Sequence, residues 1–305
     1  MQGSVKHIGL KSIISNQILK KYSTSKTVKT VRNIKLTIPK QGIRIKEQTI
    51  YIPCLKLTLP LTIPVGFTKI NQIEIGTTYA YISATYPDNK EIKPKNYFGV
   101  DLNTTKHVVV AANTTTGKVL KLGKRAHHIH QKYKHIRKRL QKQGKYKKVK
   151  EIKNRESRII RDLNHKISKK LVDECVDNQS GIVFEELKNI RQRARTSKRQ
   201  RSSLHSWSYY QLQTFVEYKA KQRGIPVFYV APQYTSQRCC RCGHIESSNR
   251  KSKSLFQCNS CGRVEDADVN AGFNIASLYQ LGIPRFTKDR DLVKGSTDAP
   301  REAMV

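Results

Sequence analysis

The first third of the chain alternates apolar with polar residues, a pattern typical of β-strands. The alternation covers residues 27–39 and 49–59, with prolines around both segments, and a further strand pattern covers residues 73–86. Residues 86–96 contain two prolines and are expected to form a linker. The pattern therefore predicts a β-rich domain over residues 1–90.

From residue 97 onward, short apolar runs alternate with segments of helical periodicity. Strands are predicted at 97–101, 107–112, 118–122, 181–187 and 225–230. Apolar residues at three- and four-residue spacing predict helices over about 125–142, 146–177, 205–223 and 269–281. Interleaved strands and helices predict an α/β domain with a helical hairpin at about 125–177. The polar residues 284–305 are expected to form a flexible tail.

The composition narrows the choice of partner. The chain has 305 residues with 59 Lys and Arg against 22 Asp and Glu, a formal net charge of +37, and 37% hydrophobic residues, enough for a core. Such a charge repels itself unless a polyanion neutralises it, so nucleic acid is the first candidate and an acidic membrane surface the second. No apolar run reaches the ~18 residues of a membrane-spanning helix. Residues 1–19 contain no signal-peptide core, so we expect a soluble intracellular protein that is not membrane-bound.

The positive charge is concentrated in two runs that contain no acidic residue. One lies between Asp101 and Glu151, and the other lies between Glu186 and Glu217. A solvated helix face is the simpler interpretation, but such faces normally mix both signs, so phosphate binding is favoured. The candidate nucleic-acid-binding residues are Lys132, Lys134, Arg137, Lys138, Arg139, Arg191, Arg193, Arg195, Arg199 and Arg201.

Five of the seven cysteines crowd into one short segment. Cys239, Cys242, Cys258 and Cys261 form the spacing C-x2-C-x15-C-x2-C, with a glycine after each pair, whereas Cys240 is a spare thiol. Two residues between thiolates allow both sulfurs to reach one tetrahedral ion. Buried free thiols would not explain two matched pairs. The spacing therefore predicts a structural Zn²⁺ ribbon.

Three acidic residues are candidates for a divalent-metal site. Asp101 ends the strand pattern 97–101, Glu185 lies within the pattern 181–187, and Asp268 lies near the start of the last helix. A carboxylate at the end of an apolar strand needs a partner, and carboxylate oxygens are ligands that Mg²⁺ and Mn²⁺ prefer. Taken singly, each acid has a simpler interpretation: a turn with Asn103, a solvent-facing glutamate, and a helix N-cap.

The order of these motifs resembles the RuvC-like core of the TnpB family, which is related to type V CRISPR effectors. The resemblance is carried by Gly99-Val100-Asp101-Leu102, by Ile182-Val183-Phe184-Glu185-Glu186-Leu187, by the paired cysteines, and by Asp266-Ala267-Asp268-Val269-Asn270-Ala271-Gly272-Phe273-Asn274-Ile275-Ala276. It extends from about residue 30 to residue 280.

The resemblance implies a transposon-associated, RNA-guided DNA endonuclease of the transposase-like type. Asp101, Glu185 and Asp268 would be catalytic and would hold Mg²⁺ or Mn²⁺, with Asp268 preferred over Asp266. Guide RNA from the transposon end and target DNA would be the partners, with one protein monomer favoured per RNA. A prokaryotic, cytoplasmic and nucleoid-associated location is expected.

The implied fold is α/β, an RNase H-like (RuvC) nuclease core with an inserted helical hairpin and zinc ribbon behind a β-rich wedge-like domain. Its divisions are a wedge-like region at 1–90, a nuclease core at 91–236, a zinc ribbon at 237–264, a last RuvC segment at 265–283 and a tail at 284–305. The wedge-like region is short for the family and is therefore expected to be truncated.

The alternative function is a cleavage-inactive zinc-ribbon protein that binds DNA or RNA, either a decayed copy or an RNA-guided repressor. A structural ribonucleoprotein component would leave the three acids without a purpose, and membrane-surface binding has no aromatic or amphipathic anchor to support it.

Overall fold

The computed structural model describes residues 9–23, 30, 34–63, 66–87, 89–103, 106–186 and 209–283. Predictions on Arg191, Arg193, Arg195, Arg199 and Arg201, and those on residues 284–305, lie outside the described residues. The chain divides into two compact units, residues 1–88 and residues 89–305.

The first unit combines one helix with two small antiparallel sheets. Helix α1 is Ser12–Ser23, and the strands are β1 (Leu36–Pro39), β2 (Arg44–Lys46), β3 (Thr49–Ile52), β4 (Leu57–Pro60), β5 (Lys69–Ile75) and β6 (Ala80–Thr85). One sheet has the order β1-β5-β6 and the other the order β2-β3-β4. Buried isoleucines, among them Ile14, Ile38, Ile50 and Ile73, form the core of this unit.

Three sequence predictions for this unit were wrong in detail. The segment 49–59 is a hairpin of β3 and β4 rather than one strand, because a 3-10 turn starts at Pro53 and Lys56 adopts a left-handed φ of 49°. The predicted strand at 73–86 is also broken, since Gly76 N–H donates to the Tyr79 carbonyl (2.9 Å) and closes a hairpin between β5 and β6. Helix α1 was not predicted, because its sequence is rich in β-branched and polar residues, which hides the helical period.

The second unit is built on a five-stranded mixed sheet. Its strands are β7 (Asn96–Leu102), β8 (Val109–Asn113), β9 (Val119–Leu122), β10 (Ser180–Glu185) and β11 (Val227–Val230). Their spatial order is β11-β10-β7-β8-β9. β10 runs parallel to both β7 and β11, whereas β8 is antiparallel to β7 and β9. The α/β prediction is confirmed at this level.

Among the described residues of this unit, four helices pack on the sheet, and a small hairpin lies outside it. The helices are α2 (Lys124–Lys142), α3 (Tyr146–Asp177), α4 (Tyr209–Gln222) and α5 (Ala267–Gln280), and the hairpin strands are β12 (Leu255–Gln257) and β13 (Val264–Asp266). The bounds of α2 and α3 lie within one residue of those predicted from the apolar spacing. Within the described residues, no helix has the length and apolar content needed to cross a bilayer.

The two faces of the sheet are covered by different helices. Phe98 and Val100 of β7 point to one face, where they pack with residues of α3 and α4 such as Leu171 and Leu212. Val183 of β10 points to the other face and packs with Ile275 of α5. Because strand side chains alternate between faces, Gly99, Asp101 and Glu185 belong to the α5 face. The fold therefore brings the carboxyl ends of two central strands against α5.

Candidate active site and cysteine cluster

Asp101 and Glu185 lie side by side at the ends of neighbouring strands. In the parallel register of β7 and β10, Val100 is opposite Phe184, so the next residues along the two strands are Asp101 and Glu185. Adjacent strands are about 4.8 Å apart. The sequence predicted Asp101 at the end of one strand pattern and Glu185 within another, and the sheet sets the spacing between them.

A glycine contact brings Asp268 to the same place. A Cβ atom on Gly99 would lie 2.1 Å from the carbonyl oxygen of Gly272 and 2.3 Å from the amide nitrogen of Ala276, so α5 crosses β7 with backbone on backbone. Asp268 precedes Gly272 by about one helical turn, and Asp101 follows Gly99 by two strand residues, displacements of about 6 Å in each case. The crossing of α5 over Gly99 thus sets the position of Asp268 relative to Asp101.

The three acids act on one another electrostatically. Burial, followed by the negative charges of Glu185 and Asp268, raises the pKa of Asp101 from 3.8 to about 8. Burial also raises the pKa of Glu185, and burial together with the charge of Asp266 raises the pKa of Asp268. In the absence of a further cation, the site therefore resists full ionisation.

Three neighbours contact the acids, and only one of them, Asn103, was considered at the sequence level, as a turn partner of Asp101. Asn103 Nδ2 donates to Asp101 Oδ2 (2.9 Å), and the Thr235 hydroxyl donates to Glu185 Oε1. Arg250 Nη2 lies 3.6 Å from Asp268 Oδ1, and its charge lowers the pKa of all three acids. Arg250 belongs to the cysteine segment, so only the folded chain could show this proximity.

Asp266 has a different role from Asp268. The Asp266 carboxylate caps α5 by accepting from the Asp268 N–H (3.0 Å), and it forms an ion pair with Lys121 Nζ at 2.9 Å. The helix N-cap interpretation considered for Asp268 therefore applies to Asp266 instead. The solvent-facing interpretation of Glu185 is also wrong, because Glu185 is half-buried and hydrogen-bonded. The turn interpretation of Asp101 holds in part, through Asn103.

The four cysteines of the predicted ribbon lie together. The Sγ atoms of Cys239, Cys242, Cys258 and Cys261 all lie within 4.8 Å of one another, with 3.7 Å between Cys239 and Cys261 and 3.5 Å between Cys242 and Cys258. Zn–S bonds of about 2.3 Å at tetrahedral angles separate two sulfurs by about 3.8 Å. The cluster therefore has the donor set and the size for one Zn²⁺.

Matched turns place these thiols. Gly243 and Gly262 follow the two cysteine pairs with φ of 79° and 70°. Their N–H groups donate to the carbonyls of Cys239 (2.9 Å) and Cys258 (3.0 Å). Such left-handed turns favour glycine, which agrees with the role that the sequence pattern gave to each.

Two buried asparagines connect the cysteine segment to α5. Asn270 Nδ2 donates to the Arg238 carbonyl (2.8 Å), and Asn270 Oδ1 accepts from the backbone N–H of the spare Cys240 (3.0 Å). Asn274 Nδ2 donates to the carbonyls of both Thr235 (2.9 Å) and Arg238 (2.6 Å). Since Thr235 bonds Glu185, this network links the cysteine segment with the acids.

The basic face of α2 is smaller than predicted. Lys132, Lys134, Lys138 and Arg139 are exposed. Arg137 instead pairs with the buried Glu156 of α3, and His130 Nδ1 lies 2.7 Å from the same carboxylate. Although burial acts to raise it, hydrogen bonds from His130 and Arg137 hold the pKa of Glu156 below its usual value. Arg137 and His130 therefore neutralise an acid inside the helical hairpin, a contact that the charge run did not indicate.

Comparison with known proteins identifies the family. The model of the Cas12f1-like TNB domain matches residues 209–275. TnpB-like protein MJ0751 of Methanocaldococcus jannaschii is 34% identical over 229 residues, which cover 70% of this chain and 81% of that protein. The chain therefore belongs to the TnpB family, as the sequence motifs indicated.

The chain is also similar to CRISPR-associated nucleases. CRISPR-associated endodeoxyribonuclease Cas12f1 of Sulfoacidibacillus thermotolerans is 32% identical over 214 residues, which cover 64% of this chain and 49% of that protein. The chain thus spans about half the length of this relative. A cryo-EM structure of a Cas12f1-sgRNA-target DNA complex has a TM-score of 0.54 at 23% identity, covering 68% of this chain and 45% of that one. The structural likeness shows a shared fold.

Proposed function

We propose that this protein is a transposon-associated, RNA-guided endonuclease that hydrolyses DNA phosphodiester bonds with divalent metal ions at a RuvC-like site. The observation that carries the proposal is the proximity of Asp101, Glu185 and Asp268, where burial and then the negative charges of the other two acids raise the pKa of Asp101 to about 8. Three acids held this way need cations to ionise together.

The architecture of the second unit supports an RNase H-like core. A meander of β7, β8 and β9 is followed by the hairpin of α2 and α3 and then by two strands parallel to β7. We assign residues 1–90 to a wedge-like region, 91–236 and 265–283 to the RuvC-like core, and 237–264 to the zinc ribbon. The assignment rests on strand order and on family membership.

Each residue of the proposed site would have a distinct role in the reaction. Asp101, Glu185 and Asp268 would hold Mg²⁺ or Mn²⁺, with Asn103 and Thr235 orienting two of the carboxylates. Bound there, such ions supply an activated water and stabilise the leaving 3′ oxygen. Arg250 offsets part of the negative charge and lies where a substrate phosphate would approach Asp268.

The cysteine cluster would bind Zn²⁺ for structure rather than catalysis. Four thiolates complete a tetrahedral shell, which leaves no coordination position for substrate. Its contribution to the reaction would be indirect, since Arg250, which lies beside Asp268, belongs to the same segment.

A guide RNA from the transposon end and target DNA are the proposed partners. The net charge of +37 and the exposed lysines of α2 suit phosphate binding. Similar proteins are named as an endodeoxyribonuclease and as part of a complex with sgRNA and target DNA. The RNA would select the target by base pairing, one protein monomer would act per RNA, and the site of action would be the prokaryotic cytoplasm at the nucleoid.

Cleavage by matched variants tests the proposal. Asp101→Ala should abolish Mg²⁺-dependent DNA cleavage and leave RNA binding nearly unchanged, because it removes a metal ligand and no surface charge contact. Asp162→Ala is the control, since this exposed aspartate of α3 pairs only locally with Lys166. If the Asp101 variant cleaved DNA as well as the wild type, the proposed nuclease function would be wrong and a cleavage-inactive nucleic-acid-binding protein would be favoured.

Sequencing the copurified RNA tests the proposed guide. One discrete RNA that overlaps the 3′ end of the gene is expected, and random RNA would contradict the proposal.

A further inference from the structure

Three lysines are exposed at or next to strands β8 and β9, and we call them the lysine rim: Lys106, Lys121 and Lys124. Lys106 precedes β8, Lys121 lies in β9, and Lys124 begins α2. Within the ranges that the structure describes, Lys121 forms an ion pair with Asp266, whereas Lys106 and Lys124 form no ion pair with an acid. The rim therefore carries an excess of positive charge.

The sheet register places Lys121 of the rim on the face that carries the acids. Asp101 is opposite Val110 of β8, and Val110 is opposite Lys121 of β9. Directly opposed residues point to the same face of a sheet. Two strand spacings separate Asp101 from Lys121, so their backbones lie about 10 Å apart. Lys121 thus stands at the edge of the same face, two strands from the catalytic acids.

The electrostatic effects on Asp268 agree with a position of Lys106 and Lys121 near the cleft. The charges of Lys106 and Lys121 act to lower the pKa of Asp268 against the effect of burial. Burial, followed by the charges of Lys121 and Lys124, lowers the pKa of His107, so this histidine lies among the rim lysines and stays neutral near pH 7. The rim therefore combines fixed cations with a neutral imidazole at the border of an acidic cleft.

We propose that the lysine rim binds backbone phosphates of the DNA strand that enters the cleft, next to the phosphate that is hydrolysed. This inference rests on the proposed function, because it takes DNA as the substrate. A carboxylate site repels a phosphodiester, so a substrate strand needs cations along its path. Arg250 supplies one beside Asp268, and the rim supplies others at the β9 edge of the sheet.

If the rim lysines only neutralised the acids, their removal would affect Mn²⁺ and DNA binding differently from a phosphate contact. If the lysines only offset the charge of the acids, removing one should tighten Mn²⁺ binding and leave DNA affinity unchanged. If they contact phosphates, removing one should weaken DNA binding and reduce its salt dependence by about 0.7 in the logarithmic slope for a single strand.

Lys121→Gln and Lys118→Gln form a matched pair for the test. Both lysines belong to the β9 region and each pairs with one acid, Asp266 and Glu174 respectively, with side chains 37% and 44% exposed. Lys118 pairs with α3, which covers the opposite face of the sheet. Anisotropy of a short fluorescein-labelled single-stranded DNA, in Ca²⁺ buffer over a range of salt concentrations, gives affinity and slope for the full-length protein.

We expect Lys121→Gln and Lys106→Gln to bind this DNA about three- to tenfold more weakly than Lys118→Gln at low salt, with the smaller slope. Lys121→Arg should restore binding. Melting temperatures and Mn²⁺ affinities measured on the same samples exclude misfolding and loss of the metal site as causes.

The outcomes separate this inference from the proposed function. Rim variants that bind and cleave DNA like Lys118→Gln would overturn the lysine rim while leaving the nuclease intact. A wild-type protein that binds DNA in a rim-dependent way but never hydrolyses it in Mg²⁺ or Mn²⁺ would support the rim contact and overturn the nuclease proposal.

Discussion

At the scale of single residues, Gly99 decides whether the candidate site can form. Gly99→Ala puts a methyl group into the backbone of α5, at 2.1 Å from the Gly272 carbonyl, and neither element can yield without moving an acid. We expect the free energy of unfolding to fall by about 3 kcal/mol, as in strongly overpacked cores, and Mn²⁺ binding to weaken. Denaturant unfolding and Mn²⁺ titration measure the two effects.

Gly181→Ala is the control for this prediction. Its added Cβ would meet the Tyr97 ring at 2.8 Å, and a side chain can shift where a helix backbone cannot. A loss as small for Gly99→Ala as for Gly181→Ala would contradict the proposed crossing of α5 over β7.

The ionisation of Asp101 predicts a pH dependence of stability. Burial and the charges of Glu185 and Asp268 raise its pKa from 3.8 to about 8, so across this window the folded chain keeps a proton that the unfolded chain releases. Stability without added Mg²⁺ or Mn²⁺ should therefore fall as pH rises from about 4 to about 8. Asp101→Asn cannot ionise and should flatten that fall.

Thermal melts without chelator, so that the cysteine cluster keeps its metal, test this prediction at about pH 5 and about pH 8. Added Mn²⁺ should stabilise the wild type more at the higher pH, because metal binding requires deprotonated ligands. Identical pH profiles for the wild type and Asp101→Asn would show that Asp101 is not held in a strained, protonated state.

At the scale of elements, α5 fastens the segment that precedes the cysteines. Asn274→Ala removes the hydrogen bonds to the Thr235 and Arg238 carbonyls, which should cost about 1–3 kcal/mol and loosen the Thr235 contact with Glu185. Calorimetric Mn²⁺ titration should show weaker binding. Asn259→Ala is the control, because its side chain bonds Glu246 and Ser248 within the cysteine segment. Equal Mn²⁺ affinities in the two variants would contradict the coupling.

The helical hairpin shows how far element prediction reaches. Apolar spacing was enough to place α2 and α3, because helical period is a local property. The inward roles of Arg137 and His130 were not predictable, since both depend on Glu156 meeting them from the other helix. A charge run shows which residues are basic, but the partner helix decides which of them face solvent.

At the scale of the whole molecule, the cysteine cluster supports the acidic site, whose three carboxylates come from three separate segments of the chain. Cys258→Ser should release Zn²⁺, because the tetrahedral shell loses a thiolate, and should free Arg250 from its place beside Asp268. Elemental analysis measures the metal, and a lower melting temperature is expected. Cys240→Ser is the control and should keep full zinc. Retention of one zinc per chain by the Cys258 variant would show that the ligand set is wrong.

Much of the candidate site could be predicted because its residues end local patterns. Asp101 and Glu185 lie at or near the ends of apolar strand patterns, and each cysteine pair has a fixed spacing and is followed by a glycine. Asn103 was considered only as a turn partner of Asp101, Thr235 had no assigned role, and Arg250 carried no signal. Contacts such as that between Arg250 and Asp268 depend on how distant segments pack, which a single sequence pattern does not encode.

The sequence by itself determined the strands of the second unit's sheet, most of the helices and the spacing of the four cysteines, because each depends on short-range periodicity or spacing. The three acids were singled out by the resemblance to the TnpB family. Only the tertiary structure decided that Asp268 faces the cleft while Asp266 caps the helix, that Gly99 and Gly272 bring their elements into contact, and that Lys121 borders the same face. The physical reason is that these relations are set by register and by close packing between segments far apart in the chain.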